Sequence, residues 1–213
     1  MSDGFKDFIG AVEPIRMKEP LAGALGAFVD EDTVLDYSYI DAIKAAGHAC
    51  PTVTGAYLCC SEALKKLYPD ETPVRGEITV TVYGEPDKGV NGVMGQVFGY
   101  ITGAAPATGF KGLGPKYRRK DLLRFSEEEV DSEAMCFEFT RMDSGKSVLV
   151  KFYPWMIPFP QDKAQRVGEL IEKVVIEAAS PEERKEFQEL WMEKIKGMIV
   201  ERQEIDNWLK VEE

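Results

Sequence analysis

The chain has 213 residues, 44% hydrophobic and 30% charged, usage that excludes collagen, a long coiled coil and wholesale disorder. Its 26 Lys and Arg against 37 Asp and Glu leave a net charge of -11, so nucleic acid is not expected as a partner of the whole protein. No run approaches the ~18 apolar residues of a membrane span and the first ten residues are not a secretory leader, so the expected setting is the cytoplasm, with no membrane partner.

Cysteines at 50, 59, 60 and 136 lack the regular spacing of a stapled secreted domain and read as reduced thiols. Residues 1–36 mix Gly4, Gly10, Pro14 and Pro20 with short apolar pieces such as 21–29, which reads as an ordered but irregular lead-in. A helix is predicted over residues 37–46, ended by Gly47 in the left-handed position after the last turn. Pro51 suits the first position of a second helix, which makes Cys50 its N-cap. Val53, Tyr57, Cys60, Leu64 and Leu67 then recur at helical spacing up to residue 68.

Residues 77–83 alternate as a half-buried strand. Over residues 89–103, Gly95, Gly99 and Gly103 recur every four positions. An interior Gly costs a helix about 1 kcal/mol against Ala, so three on one stripe point to another backbone lying close, within the chain or across a dimer. Met135, Phe137 and Phe139 alternate with polar residues before the turn Asp143-Ser144-Gly145 and a second strand over 147–153, forming a hairpin. Residues 161–178 form an amphipathic helix, and Ser180-Pro181 with Glu183 is a capping box that opens a last helix to residue 200. The expected fold is α+β: a twisted, mostly antiparallel sheet packed with helices over residues 37–155, and a helical extension over 156–213 suited to holding a homodimer together.

His48 is the sole histidine, so motifs needing two imidazoles from one chain are excluded. Nucleophile-elbow, Walker and dinucleotide spacings are absent too, and no catalytic residue is assigned. What remains is His48-x-Cys50 at a helix N-terminus, where free N–H groups favour a thiolate and Zn2+ accepts both donor types. The plainer reading of the same residues is a cap and a packed thiol. Cys59 and Cys60 lie roughly 13–15 Å further along the helix axis, too far to join the pair, and read as core thiols. A second candidate is the loop over residues 102–125, where Lys111, Arg118 and Arg119 would hold a small anionic ligand or cofactor beside Lys116, Lys120 and Arg124. Its alternative is a solvated loop answering Glu127, Glu128 and Glu129.

The segments AGHACPTVTGAYLCCSEAL, RGEITVTV, EPDKGVNGVMGQVFGYITGA and TGFKGLG, in that order over residues 37–153, resemble the FmdE-like domain family of formylmethanofuran dehydrogenase. The resemblance implies a dimeric α+β protein that binds a metal such as zinc through His-x-Cys and further cysteines. Two family cysteines are missing, with Lys88 and Ala104 standing at those points. Completion would then fall to Glu85 or Asp87, a second copy of the chain, water or a bound ligand. The function so expected is a metal- or cofactor-binding accessory protein with His48, Cys50 and Asp87 as metal ligands. Haem with His48 or Cys50 as axial ligand is the second choice, and a metal-assisted enzyme acting on a small organic anion is a further alternative.

Overall fold

The computed structural model describes residues 8–27 and 33–213, so the predicted apolar piece at 21–29 lies partly outside the described residues. In chain order the strands are β1 (Ile15–Lys18), β2 (Val34–Tyr37), β3 (Ile78–Tyr83), β4 (Gly112–Leu113), β5 (Tyr117–Arg118), β6 (Leu123–Ser126), β7 (Met135–Arg141), β8 (Ser147–Phe152) and β9 (Leu209–Glu212). The helices are α1 (Pro20–Ala24), α2 (Tyr39–Ala46), α3 (Pro51–Leu67), α4 (Asn91–Thr102), α5 (Gln161–Val175), α6 (Pro181–Ile199) and α7 (Ile205–Trp208).

Five strands make the main sheet in the order β6-β3-β7-β8-β9, parallel between β3 and β6 and antiparallel elsewhere. This is the α+β arrangement expected. Period-two alternation explains its two faces. Ile78, Val80 and Val82 lie on one side with Phe137, Phe139, Val148 and Val150, all buried. Thr79, Thr81 and Glu138 lie on the other, half-buried. Helices α3 and α4 cover the apolar face, where the Phe98 ring meets Phe137 and Phe139 edge-on at 4.9 and 5.2 Å. The α3 stripe Val53, Tyr57, Cys60, Leu64 and Leu67 is buried, and Cys59 with it. Burial pushes both the Cys59 and Cys60 thiols up, which keeps them neutral core groups.

The glycine stripe of α4 is an intramolecular close approach. A Cβ on Gly92 or Gly99 would lie 2.6 Å from the carbonyl oxygens of Pro86 and Ala104, and one on Gly95 would lie 3.0 Å from the Phe125 ring of β6. The chain thus runs β3-α4-β6 with the helix pressed onto the edge strand.

Both ends of the chain differ from expectation. Within the described part of the lead-in, β1 pairs antiparallel to β2 from Ile15↔Tyr37 to Lys18↔Val34. Four-residue strands give too little alternation to be read without their partners. The helical extension is not separate: after α7 the chain returns as β9 and pairs with β8, while Ile195, Met198 and Ile199 of α6 bury in the common core. No helix is long and apolar enough to cross a membrane among the described residues.

Candidate functional site

Ser38 opens α2 with a capping box shared with Asp41, and Gly47 ends it at φ 80°, a left-handed turn that glycine adopts without strain. The chain then runs through His48-Ala49 into Cys50, whose Sγ accepts the Val53 N–H at 3.4 Å as the N-cap of α3. His48 is exposed, and its Nδ1 lies 3.0 Å from the Ala46 carbonyl oxygen. A carbonyl only accepts, so Nδ1–H is the donor in this bond and Nε2 is the ring nitrogen it leaves free. Beneath Cys50 a hydroxyl chain is fixed: Thr54 Oγ1 donates to the Cys50 carbonyl at 2.7 Å, and Tyr39 donates to Thr54 at 2.6 Å. Burial raises the Tyr39 phenol above its usual range, so it stays a donor.

The C-terminal extension closes on this connector. Trp191 Nε1 of α6 donates to the Ala49 carbonyl at 2.9 Å, between the two candidate ligands, and its ring packs against Phe187. Nothing local links residues 49 and 191. A tryptophan on the buried side of the last helix was the one available signal.

The remaining expected ligands do not gather here. Asp87 is exposed on the loop between β3 and α4, and Glu85 beside it pairs with Lys88 at 2.5 Å. Cys136 is buried in β7, with burial raising its thiol. No group of three His, Cys, Asp or Glu side chains able to hold a metal occurs among the described residues. Of the expected ligands, His48 and Cys50 are the two that share this connector, fewer than a closed structural site needs.

The three cations of the expected anion loop diverge. Lys111 is exposed, and its carbonyl accepts the Arg119 N–H that closes the β4–β5 ribbon. Arg118 is exposed, with Nη2 3.4 Å from Asp121. Arg119 is only 2% exposed and turns inward, where Nη2 binds Glu19 at 2.6 Å. Arg75 binds the other Glu19 oxygen at 2.7 Å and also donates to the Tyr100 and Ile101 carbonyls that end α4. Desolvation lowers the Arg119 pKa and Glu19 opposes it; its Nη1, against Gly76 and Gly103, has no partner among the described residues. Ion pairing in this loop goes to Asp121 and Glu19 rather than to Glu127, Glu128 and Glu129 among the described residues.

The glycine face of α4 also borders a groove of about 1000 Å3, walled by Leu123 and Phe125 of β6 and by the loop 104–108. Neither His48 nor Cys50 lines it, so the flat-ligand surface and the candidate ligand pair, which a haem reading joins, are separate features here. No family model, no curated protein and no solved structure matches this chain.

Proposed function

We propose that this chain is a metal-binding accessory protein in which His48 Nε2 and Cys50 Sγ supply two ligands to a zinc-like cation and the rest of the shell comes from outside the chain. One observation carries the reading: the Nδ1–H bond to the Ala46 carbonyl commits the imidazole to the tautomer that metal ligation uses. Support also comes from the position of Cys50 at the electropositive end of α3 and from the resemblance to the FmdE-like domain family of formylmethanofuran dehydrogenase. Four free cysteines suit a reducing compartment such as the cytoplasm.

A second copy of the chain is the natural source of the missing donors. Two copies related by a two-fold axis bring two imidazoles and two thiolates, the complement of a closed tetrahedral zinc site. Elemental analysis and light scattering test this together. The expected result is one zinc per two chains, a dimer that a chelator dissociates, and loss of both in His48→Ala and Cys50→Ser with far-UV circular dichroism unchanged. Unchanged metal content in both variants overturns the reading, and a Soret band in the purified protein replaces zinc with haem.

A further inference from the structure

The groove on the glycine face of α4 is independent of the metal pair. Gly92, Gly95 and Gly99 of α4 line one side, closely covered by Pro86, Ala104, Leu123 and Phe125, and the apolar residues of β6 and the loop 104–108 form the other walls. Polar side chains border this apolar space with hydrogen-bonding capacity unspent among the described residues, Gln96, Tyr100, Thr108 and Arg124 among them. Gln96 and Thr108 make no bond, and Arg124 spends only Nε, on the Asp121 carbonyl at 2.9 Å. An apolar cleft of this size bordered by a few unpaired polar groups is the usual form of a small-molecule site.

Charge selects the occupant. Two charged residues line the groove, Asp121 and Arg124; the Asp121 carboxylate is paired with Arg118 Nη2 at 3.4 Å, whereas Arg124 makes no ion pair among the described residues. Arg119, turned inward onto Glu19, adds nothing outside. With the carboxylate engaged by Arg118, the unpaired guanidinium is the charge left for an occupant to meet. The free Nη1 and Nη2 edge of Arg124 is a fork that matches a carboxylate, phosphate or sulfonate.

We propose that this groove binds an amphipathic organic anion, with a flat or chain-like apolar body against the apolar walls of β6 and the loop 104–108 and an acidic head on Arg124. Anilinonaphthalene sulfonate is a fitting probe, because its fluorescence rises on leaving water and its sulfonate supplies the head. Phenylnaphthylamine is the uncharged counterpart.

The expected result is saturable one-to-one binding of the sulfonate, about tenfold weaker in Arg124→Gln and unchanged in Lys185→Gln on the exposed side of α6. Filling the groove with Gln96→Trp abolishes binding, and Thr108→Trp repeats the block from the opposite wall should the first variant lose its fold. Phenylnaphthylamine binds the unmodified chain more weakly and ignores Arg124→Gln. The inference is overturned if Arg124→Gln and Lys185→Gln bind alike, if a folded groove-filling variant binds like the unmodified chain, or if both probes bind equally well. A chelator leaves all of these outcomes in place, so they are decided separately from the metal reading.

Discussion

With 7% of its side chain exposed, Glu19 is held between two guanidiniums and also accepts the Leu21 N–H at the start of α1. Its carboxylate is the counter-ion that makes burial of Arg119 tolerable, and through Arg75 it also steadies the carbonyls that end α4. Removing one member of a buried charge network costs more than the network contributes as a whole, because the survivors stay desolvated and unpaired. Glu19→Gln is therefore expected to destabilise the chain by about 3–5 kcal/mol in urea denaturation. Neutralising a surface ion such as Lys185 is expected to cost about 0–1 kcal/mol. Glu19 was not legible as a key residue, since its partners stand 56 and 100 positions away. Cys50 was legible as a cap because the Pro after it and the spacing beyond it are local.

Among the elements, α4 and α5 use glycine for opposite reasons. Gly99 sits where a Cβ would press into the Ala104 carbonyl, whereas Gly168 in α5 has nothing within 4 Å of the same position. Gly99→Ala is expected to cost about 1–3 kcal/mol, since backbone must move to admit the methyl. Gly168→Ala is expected to gain up to about 1 kcal/mol of helix propensity. Thermal unfolding of the two variants side by side checks both, and equal midpoints would remove the close-approach account of the stripe. The sequence showed that something lay close to Gly95 and Gly99. It did not show what, because edge strand β6 is four residues long and its approach to α4 is decided by the sheet. The capping box at Ser180 was readable for the opposite reason: Ser180 and Glu183 bond within one turn, at 3.0 and 3.2 Å.

Across the whole molecule, Arg141 ties the helical layer to the sheet. It donates to the Leu67 carbonyl that ends α3, pairs with Glu71 and Asp143, and stacks over the Tyr68 ring at 4.1 Å. The Arg141 hydrogen bonds are the leading reason that the Asp143 carboxyl is lowered to about 2. A carboxyl depressed on folding contributes stability that is full above the unfolded pKa of about 4 and is lost as pH falls through the folded value. Asp143→Asn is expected to be less stable than the unmodified chain at neutral pH, with the difference closing as the pH falls from ~4 towards 2. Urea midpoints across that range measure it, and a constant difference would mean that the charge of Asp143 is not what stabilises the link.

By itself the sequence determined the α+β class, the core stripe of α3, the strands β3, β7 and β8, and the caps at Cys50 and Ser180, because each follows from a period or a contact within a few residues. Only the tertiary structure decided the rest. It placed Trp191 on the Ala49 carbonyl, turned Arg119 from the anion loop onto Glu19, returned the C-terminus as β9, and opened the groove beside α4. These outcomes depend on which distant surfaces meet when apolar area is buried, and a charge or a ring carries no local mark of the partner it will find.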